Sequence, residues 1–414
     1  MTNDLRVLDP GDWDTWYEDL SRAYGGMEPP PERRALRAAV TEYDRSLGVW
    51  EDGGCVGAAA AYSFRMTVPG GRSGGAPAPV ATAAVSMVGV VPTHRRRGIL
   101  TAMMRHQLDN VRARGEALAV LTASEPAIYG RYGYGIASRQ LALEVDSDRA
   151  RITEPPDARV RLRSVDPVHA AEGCAAIRDR LAADRPGGML RPGAWDAWPL
   201  LDPPSDRGGG SPLQCVLAER DGEPSGFALY QVRPAWSHAG PVGTVTLREL
   251  HGLDPSSATE LWRFLLGIDL TSSVHALNRP LDEPLLHRVA DPRRCEPRLR
   301  DGLHLRLVEV GAALAARAYR VPVDTVLEVT DPFCLWNTGR WRLSGDPSGA
   351  VCARTADPAD LSLSVRELGS AYLGGITLRE LADAGLVREC APGALETASL
   401  AFGSTVPPWL AQQF

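Results

Sequence analysis

The sequence pairs none of its cysteines at CxxC spacing: the seven, at positions 55, 174, 215, 295, 334, 352 and 390, are scattered and odd in number. This argues against both a cysteine-rich zinc site and a disulfide framework, and fits a reducing compartment. No run of about eighteen apolar residues without a charge occurs, so no stable membrane insertion is expected. The opening "MTNDLRVLDPGDWDTW" carries acids and tryptophans where a signal peptide needs a basic start and an apolar stretch. Positive charge is not in excess either: 45 basic residues face 51 acidic ones, for a formal net charge of −6. That argues against a nucleic-acid partner while leaving room for a local basic patch. The expected location is cytoplasmic, with any secretion following a route that needs no signal peptide.

The chain does have enough apolar material for several folded domains. It is 414 residues long, 44% hydrophobic and 23% charged, a folded composition too long for one continuous core. Leu5–Leu8 reads as a strand, "DPGDW" starts a helix, and positions 33–47 read as a second helix. "CVGAAAAYSFRMTVPG" and "PVATAAVSMVGVVP" read as antiparallel strands about an exposed turn, "GGRSGGAPA". A helix is expected over Ile99–Arg112 with Ile99, Met103 and Leu108 on one side, then strands over Glu116–Ala123 and "RQLALEVD". The first unit is therefore a mixed α/β domain, 1–155. A second, 156–300, repeats the order of strand, Asp-Pro turn and helix ("VRLRSVDPVHAAEGCAAIRDRL" against "DLRVLDPGDWDTWYEDLSRAY"), and a third spans 301–414.

The stretch "VVPTHRRRGIL" carries the chemistry. It sets His94, Arg95, Arg96 and Arg97 ahead of Gly98, between a strand and a helix. The first N–H groups of a helix lack intrahelical partners and its dipole favours anions. Gly98 lets the backbone approach a pyrophosphate, and arginines add charge-assisted bonds. The bland alternative is a charged surface turn. In the second unit, "HGLDPSSATELW" offers no such loop; Asp254 or the nearby serines read as a helix cap, so nucleotide binding is expected to be lost there.

Downstream, "SEPAIYGRYGYG" adds Tyr129, Tyr132 and Tyr134. With it, the arrangement resembles the GCN5-related N-acetyltransferases, whose Q/R-x-x-G-x-G/A motif here reads Arg95-Arg96-Arg97-Gly98-Ile99-Leu100, with Leu100 departing from the small final residue. The ordered set "TVPG", "VPTHRRRGIL", "SEPAIYGRYGYG", "GMLRP", "LWRFLLGID", "VLEV" and "LGSAYLGG" is similar to the Eis-type (enhanced intracellular survival) branch over almost the whole chain. The resemblance implies an α/β (α+β) chain. Two tandem acetyltransferase-like domains, the second degenerate, precede a sterol-carrier-protein-like α/β domain whose tail enters the active site. It also implies acetyl-CoA as cosubstrate, no metal, a primary-amine small molecule or lysine-containing peptide as acceptor, and a homohexamer.

Residue by residue, the resemblance places pantetheine contacts at Val88 and Val90, pyrophosphate contacts at Arg95, Arg96, Gly98 and Ile99, and Ser124 near the reacting end. Tyr129 matches the tyrosine that protonates the leaving thiolate; a phenol, with a reference pKa near 10, carries its proton at neutral pH. Phe414 matches a terminal residue whose carboxylate acts as base. Glu28, Trp13, Trp16 and Trp195 are candidates for the acceptor cavity, although packing is the simpler role for the tryptophans, as it is for Tyr132 and Tyr134. Gln413 is neutral where an acid would strengthen attraction for a cation. Cys55, the cysteine nearest the motifs, reads as buried, which disfavours transfer through a thiol. The competing reading is a noncatalytic CoA- or lipid-binding scaffold.

Overall fold

The computed structural model describes residues 4–70, 79–191 and 193–414, so the separator at 71–78 falls outside the described residues. The chain forms two compact units. The first comprises Met1–Ser138, Arg185–Arg191 and Gly302–Phe414; the second comprises Arg139–Asp184 and Pro192–Asp301.

The first unit opens with β1 (Asp4–Val7), α1 (Trp13–Ala23), α2 (Pro31–Val40), β2 (Leu47–Glu51) and β3 (Gly54–Met66). It continues with β4 (Val80–Val90), α3 (Ile99–Ala113), β5 (Leu118–Thr122), α4 (Pro126–Tyr129) and β6 (Gly135–Ile136), and later adds β7 (Met189–Leu190) and β8 (Leu303–Leu307). The sheet runs β1-β2-β3-β4-β5-β8-β6, with β7 on the end of β3. The alanine-rich middle of β3 is buried, Ala58 to Ala61 each being at most 1% exposed. Small residues there admit helices closely. A side chain at Gly57 would strike Ile99 of α3, and one at Gly89 would strike Leu20 of α1. On α3, Ile99, Met103, Met104, Leu108 and Val111 face the sheet, as the helical spacing requires.

The expected helix over 33–47 is too long. It stops at Val40, where Thr41 turns extended and returns its hydroxyl to the Arg37 carbonyl at 2.7 Å. Leu47, Val49 and Trp50 are buried in β2 instead; a short apolar run with its neighbours on a sheet outweighed a helical periodicity that Thr41 had already broken.

A second difference is an exchange of strands. "RQLALEVD" forms Arg139–Asp146 as expected, but that strand belongs to the second unit's sheet. There the order is 298–301, 139–146, 271–279, 243–252, 223–233, 214–220, 160–165. Its counterpart in the first sheet is β8, expected to open the third unit, which pairs antiparallel with β5 from Leu303↔Thr122 to Leu307↔Leu118. Each sheet is thus completed by a strand from outside the sequence bounds expected for its domain. Alternation along a strand marks its two faces, not which sheet edge it will join.

The second unit keeps the strand order of the first, but its own side chains occupy the strand edge and helix start that the first leaves open. Its helix Pro255–Leu266 is capped by Asp254, whose carboxylate accepts from Ser257 N at 3.0 Å and pairs with Arg220. A carboxylate at a helix start takes the position an anionic ligand would need. Strand 243–252 pairs with 271–279 only over Gly243–Leu247, and beyond that Arg279 donates to the Leu250 carbonyl at 2.9 Å.

The last part of the first unit is a five-stranded sheet in the order 349–354, 339–346, 323–330, 361–364, 387–389, with helices Val310–Ala315, Val365–Ala371, Leu378–Asp383 and Ala394–Phe402. A buried ion pair joins it to β8: Arg306 and Asp331 lie 2.5 Å apart with side chains 0% and 1% exposed. Arg306 also donates to the Tyr132 carbonyl, and Asp331 accepts from the backbone of Phe333 and Cys334 and from Asn337. Removing one partner leaves the other charge uncompensated in the core, so Asp331→Ala is expected to destabilise this unit by roughly 3–5 kcal/mol. Denaturant unfolding measures this; a change below about 1 kcal/mol would contradict the pairing.

Candidate active site

β4 pairs with β3 along its whole length, but the register slips by one residue between Ala58↔Gly89 and Ala60↔Ser86. The extra residue is a β-bulge, and Met87 sits in it at φ +55°. On its other edge β4 pairs with β5 only at Thr82–Ala84. From Val85 onward that edge is open, and the two strands part. The gap is a cleft of about 310 Å³ lined on one side by Val88, Gly89 and Val90 and on the other by Ser124, Glu125, Ile128 and Tyr129. An open strand edge presents backbone groups in need of partners. Tyr24 donates its hydroxyl to the Val88 carbonyl at 2.8 Å, leaving the remaining edge for an extended ligand with amide groups.

At the end of the cleft the Arg-rich turn divides its residues between two tasks. His94 and Arg97 are anchored on Glu51, with nitrogen-to-carboxylate distances of 3.2 and 3.6 Å. Arg95 folds back on the carbonyls of Val90 and Ala23, both at 3.3 Å. Arg96 is exposed at φ +64° and Gly98 follows at φ +82°. Left-handed residues belong to the kind of backbone turn in which N–H groups can converge on an anion. No side chain caps α3, and its first intrahelical bond runs from Ala102 N to Gly98 O. The N–H groups of Ile99, Leu100 and Thr101 therefore face the cleft's end without an intrahelical partner. Open edge and uncapped helix start fit the amides of a pantetheine arm and a pyrophosphate in turn.

Tyr129 closes α4 and lines the cleft. Its ring meets Tyr134 edge-on at 6.2 Å. Burial first, then the neighbouring Glu125 and Tyr132, pushes its hydroxyl up to about 12, so it holds its proton throughout the physiological range. Tyr132 and Tyr134 are buried packing residues, 4% and 1% exposed. Cys55 is buried too, its thiol pushed up to about 12 by desolvation, so it is not a ready nucleophile.

The chain's other end reaches the same strand. Ser86 donates to the terminal oxygen of Phe414 at 3.1 Å. The Phe414 ring is 6% exposed and meets Phe64 of β3 edge-on at 5.6 Å.

The comparisons with known proteins decide the family. Acetyltransferase (GNAT) domain models match residues 4–137 and 187–307, and a sterol carrier protein domain model matches 310–411. The N-acetyltransferase Eis of Mycobacterium tuberculosis is 35% identical over the full length of both chains. This chain belongs to the Eis-type branch of the GCN5-related N-acetyltransferases. A crystal structure of Eis1 from Mycobacterium abscessus matches it with a TM-score of 0.82 at 32% identity, covering both chains completely. An uncharacterized N-acetyltransferase of Streptomyces avermitilis is 56% identical, also end to end. The Eis-type chain is thus an enzyme, an N-acetyltransferase that uses acetyl-CoA on amine-bearing substrates, and the scaffold-only reading falls. Two GNAT domains followed by a sterol-carrier-like domain are its architecture. Among the described residues no helix is long and apolar enough to cross a membrane.

Not every residue expected at the Eis-type site lies in it. Val88, Val90, Arg95, Arg96, Gly98, Ile99, Ser124 and Tyr129 all line the cleft. Trp13 and Trp16 are core residues of α1 instead: Trp13 stacks on Tyr17 and donates to Thr41, and Trp16, 1% exposed, donates to the Leu47 carbonyl. With both indole N–H groups satisfied inside, packing accounts for them. Trp195 is buried in the second unit beside Trp198, and Glu28 is exposed in the loop between α1 and α2 and does not line the cleft. Sequence reasoning missed Tyr24, Ser86 and Phe64. Only the bulge and the tail's route give them a role, and neither leaves a local signature.

Gly98→Ala places a Cβ in the left-handed region at a cost of about 1–2 kcal/mol. The expected result is a roughly tenfold rise in the KM for acetyl-CoA, with the acceptor KM little changed. Steady-state kinetics measures both; equal KM values for acetyl-CoA in the two proteins would remove Gly98 from the donor site.

Proposed function

We propose that the enzyme transfers acetyl directly from acetyl-CoA to a primary amine, with the Phe414 carboxylate as base and Tyr129 as hydrogen donor to the leaving sulfur. The observation that carries this reading is the 3.1 Å hydrogen bond from Ser86 to the Phe414 carboxylate, which sets the chain's last residue on the strand that forms the donor slot. The Phe414 carboxylate accepts a proton from the substrate ammonium, directly or through water. The free amine then adds to the acetyl carbon to give a tetrahedral oxyanion; as this collapses the carbon–sulfur bond breaks, the nitrogen's surplus proton passes to the departing sulfur, and the carboxylate returns its own proton to water. N–H groups at the open edge near Val88–Val90 stabilise the oxyanion, and Arg95, Arg96, Gly98 and Ile99 hold the pyrophosphate.

Tyr129 has a narrower task than simple acid catalysis. At about 12 its phenol is a weaker acid than an ordinary thiol near 8.5, so complete hand-over of its proton to sulfur is uphill. What it supplies is a protonated donor at every working pH, placed to stabilise charge growing on the sulfur. Tyr129→Phe is expected to lower kcat by about 10²-fold with acetyl-CoA binding nearly unchanged. In the wild type, Tyr129 contributes no loss of rate as pH rises to about 10, because its hydroxyl ionises only near 12. A descending limb that lies below pH 10 and vanishes in Tyr129→Phe would contradict this.

Acceptors of the aminoglycoside, polyamine or accessible-lysine type follow from the family reading, with a cytoplasmic homohexamer as the assembled form. Native mass spectrometry tests the assembly. For the reaction, acetyl-CoA is incubated with a panel of amines and products are read by mass. All 45 basic residues of the chain are arginine, so the enzyme has no lysine amine of its own to blur the result. The expected outcome is a monoacetylated amine. Failure to acetylate any amine while CoA still binds would sink the reading. Residues appended after Phe414 should lower kcat about 10²-fold or more without loss of CoA binding; an undiminished rate would remove the terminal base.

A further inference from the structure

The proposed base arrives at the end of a tail, and chain ends fray unless tied down. The segment Arg185–Arg191 ties this one. In sequence it interrupts the stretch that builds the second unit, yet it belongs to the first. On one side it is bonded to the end of β3. Thr67 N donates to Gly188 O and Gly187 N to Thr67 O, both at 2.9 Å, and β7 pairs Met189 with Met66 and Leu190 with Arg65. On the other side it receives the tail. Trp409 N donates to Pro186 O at 3.0 Å, and Arg185 donates to Pro407 O at 3.1 Å with its guanidinium 5.8 Å from the Trp409 ring. Gly187, at φ +85°, lies against the Trp409 backbone. Trp409, Leu410 and Phe414 are buried as a result.

Arg191 closes the segment and makes its last contacts before Phe414. One terminal nitrogen donates to Gln412 Oε1 at 3.2 Å and to Gln413 O at 3.3 Å, and the other donates to Gln412 O. Its guanidinium also sits 5.5 Å from the Phe64 ring, the same ring that Phe414 meets edge-on. A planar fork holds several acceptors in one fixed geometry, which an ammonium cannot do. Fixing the two peptide carbonyls before Phe414 leaves few rotations between the arginine and the terminal carboxylate.

We propose that Arg191 is a positioning residue for acetyl transfer: its fork sets the Gln412–Gln413 backbone so that the Phe414 carboxylate is presented beside Ser86. This rests on the reading of Phe414 as base. It assigns a catalytic purpose to a segment outside both the phosphate turn and the tyrosine loop.

The test uses the full chain as wild type, Arg191→Ala, Arg191→Lys, a chain lacking Phe414, and Arg191→Ala combined with that deletion. Rates are measured on one acetylated amine, and carboxypeptidase release of Phe414 is followed by intact mass. Arg191→Ala is expected to lose about 10²-fold in kcat, to keep its acetyl-CoA KM within about twofold, and to lose Phe414 at least about tenfold faster. Arg191→Lys recovers only part of the rate. Added to the deletion, Arg191→Ala costs nothing more, because both act through the same group. Wild-type kcat, unchanged release of Phe414, or a loss that adds in full to the deletion would each overturn the proposal. If the deletion is inactive while Arg191→Ala is indifferent, only the role of Arg191 fails. If the deletion keeps the wild-type rate, the terminal base fails and takes this proposal with it.

Discussion

The donor site depends on where β4 parts from β5. Pairing ends at Ala84, the bulge at Met87 turns the strand, and the sheet is left with an edge inside the protein. Unpaired backbone groups in such a place are costly, and two of the positions are filled by side chains. Tyr24 takes the Val88 carbonyl and Arg95 takes that of Val90. The rest of the edge is left to a ligand that pairs as an added strand would. The second unit has the same parting of strands, but Arg279 donates into it and Asp254 occupies the helix start. The two copies differ in this respect: the first leaves the strand edge and helix start open, and the second fills both with its own side chains.

The sterol-carrier-like domain serves that site as a platform. The Arg306–Asp331 pair reaches the Tyr132 carbonyl, and a side chain at Gly133 would collide with Arg306, so the turn beyond Tyr129 is pressed onto the ion pair. From the same loop, Phe333 and Trp336 receive Arg105 and Arg112 of α3, the guanidinium groups lying 3.9 and 4.5 Å from their ring centroids. The helix whose uncapped start ends the cleft and the loop that carries Tyr129 are therefore braced against residues 228 and 174 positions away in sequence. The tail completes the arrangement by returning to β4 through the bracket at Arg185–Arg191.

Much of this was legible in the sequence, for identifiable reasons. The alanine and valine runs of β3 and β4, the periodicity of α3 and the glycine after three arginines are local signals with local causes, and all stand where the residues indicated. The division of labour within "HRRRG" was legible only in part: Glu51, which holds His94 and Arg97, lies on another strand. The exchange of Arg139–Asp146 for β8 was not legible, because hydrophobic alternation says that a strand is half-buried and says nothing about which of two similar sheets has room. Trp13 and Trp16, candidates for the cavity for which packing is the simpler role, are core residues whose indoles bond Thr41 and Leu47. The register slip that creates the cleft leaves no composition to read.

The proposed mechanism puts the proton transfer on the chain's own terminal carboxylate, held beside Ser86. The most direct test replaces only that group, by joining a synthetic C-terminal peptide that ends in Phe414 carboxamide and comparing its kcat with the same ligated protein carrying the free acid. The ring, the Gln412–Gln413 backbone and the Arg191 contacts are all retained. The account predicts a fall in kcat of about 10²–10⁴-fold for the amide, with acetyl-CoA binding preserved. Equal rates for amide and acid would contradict it.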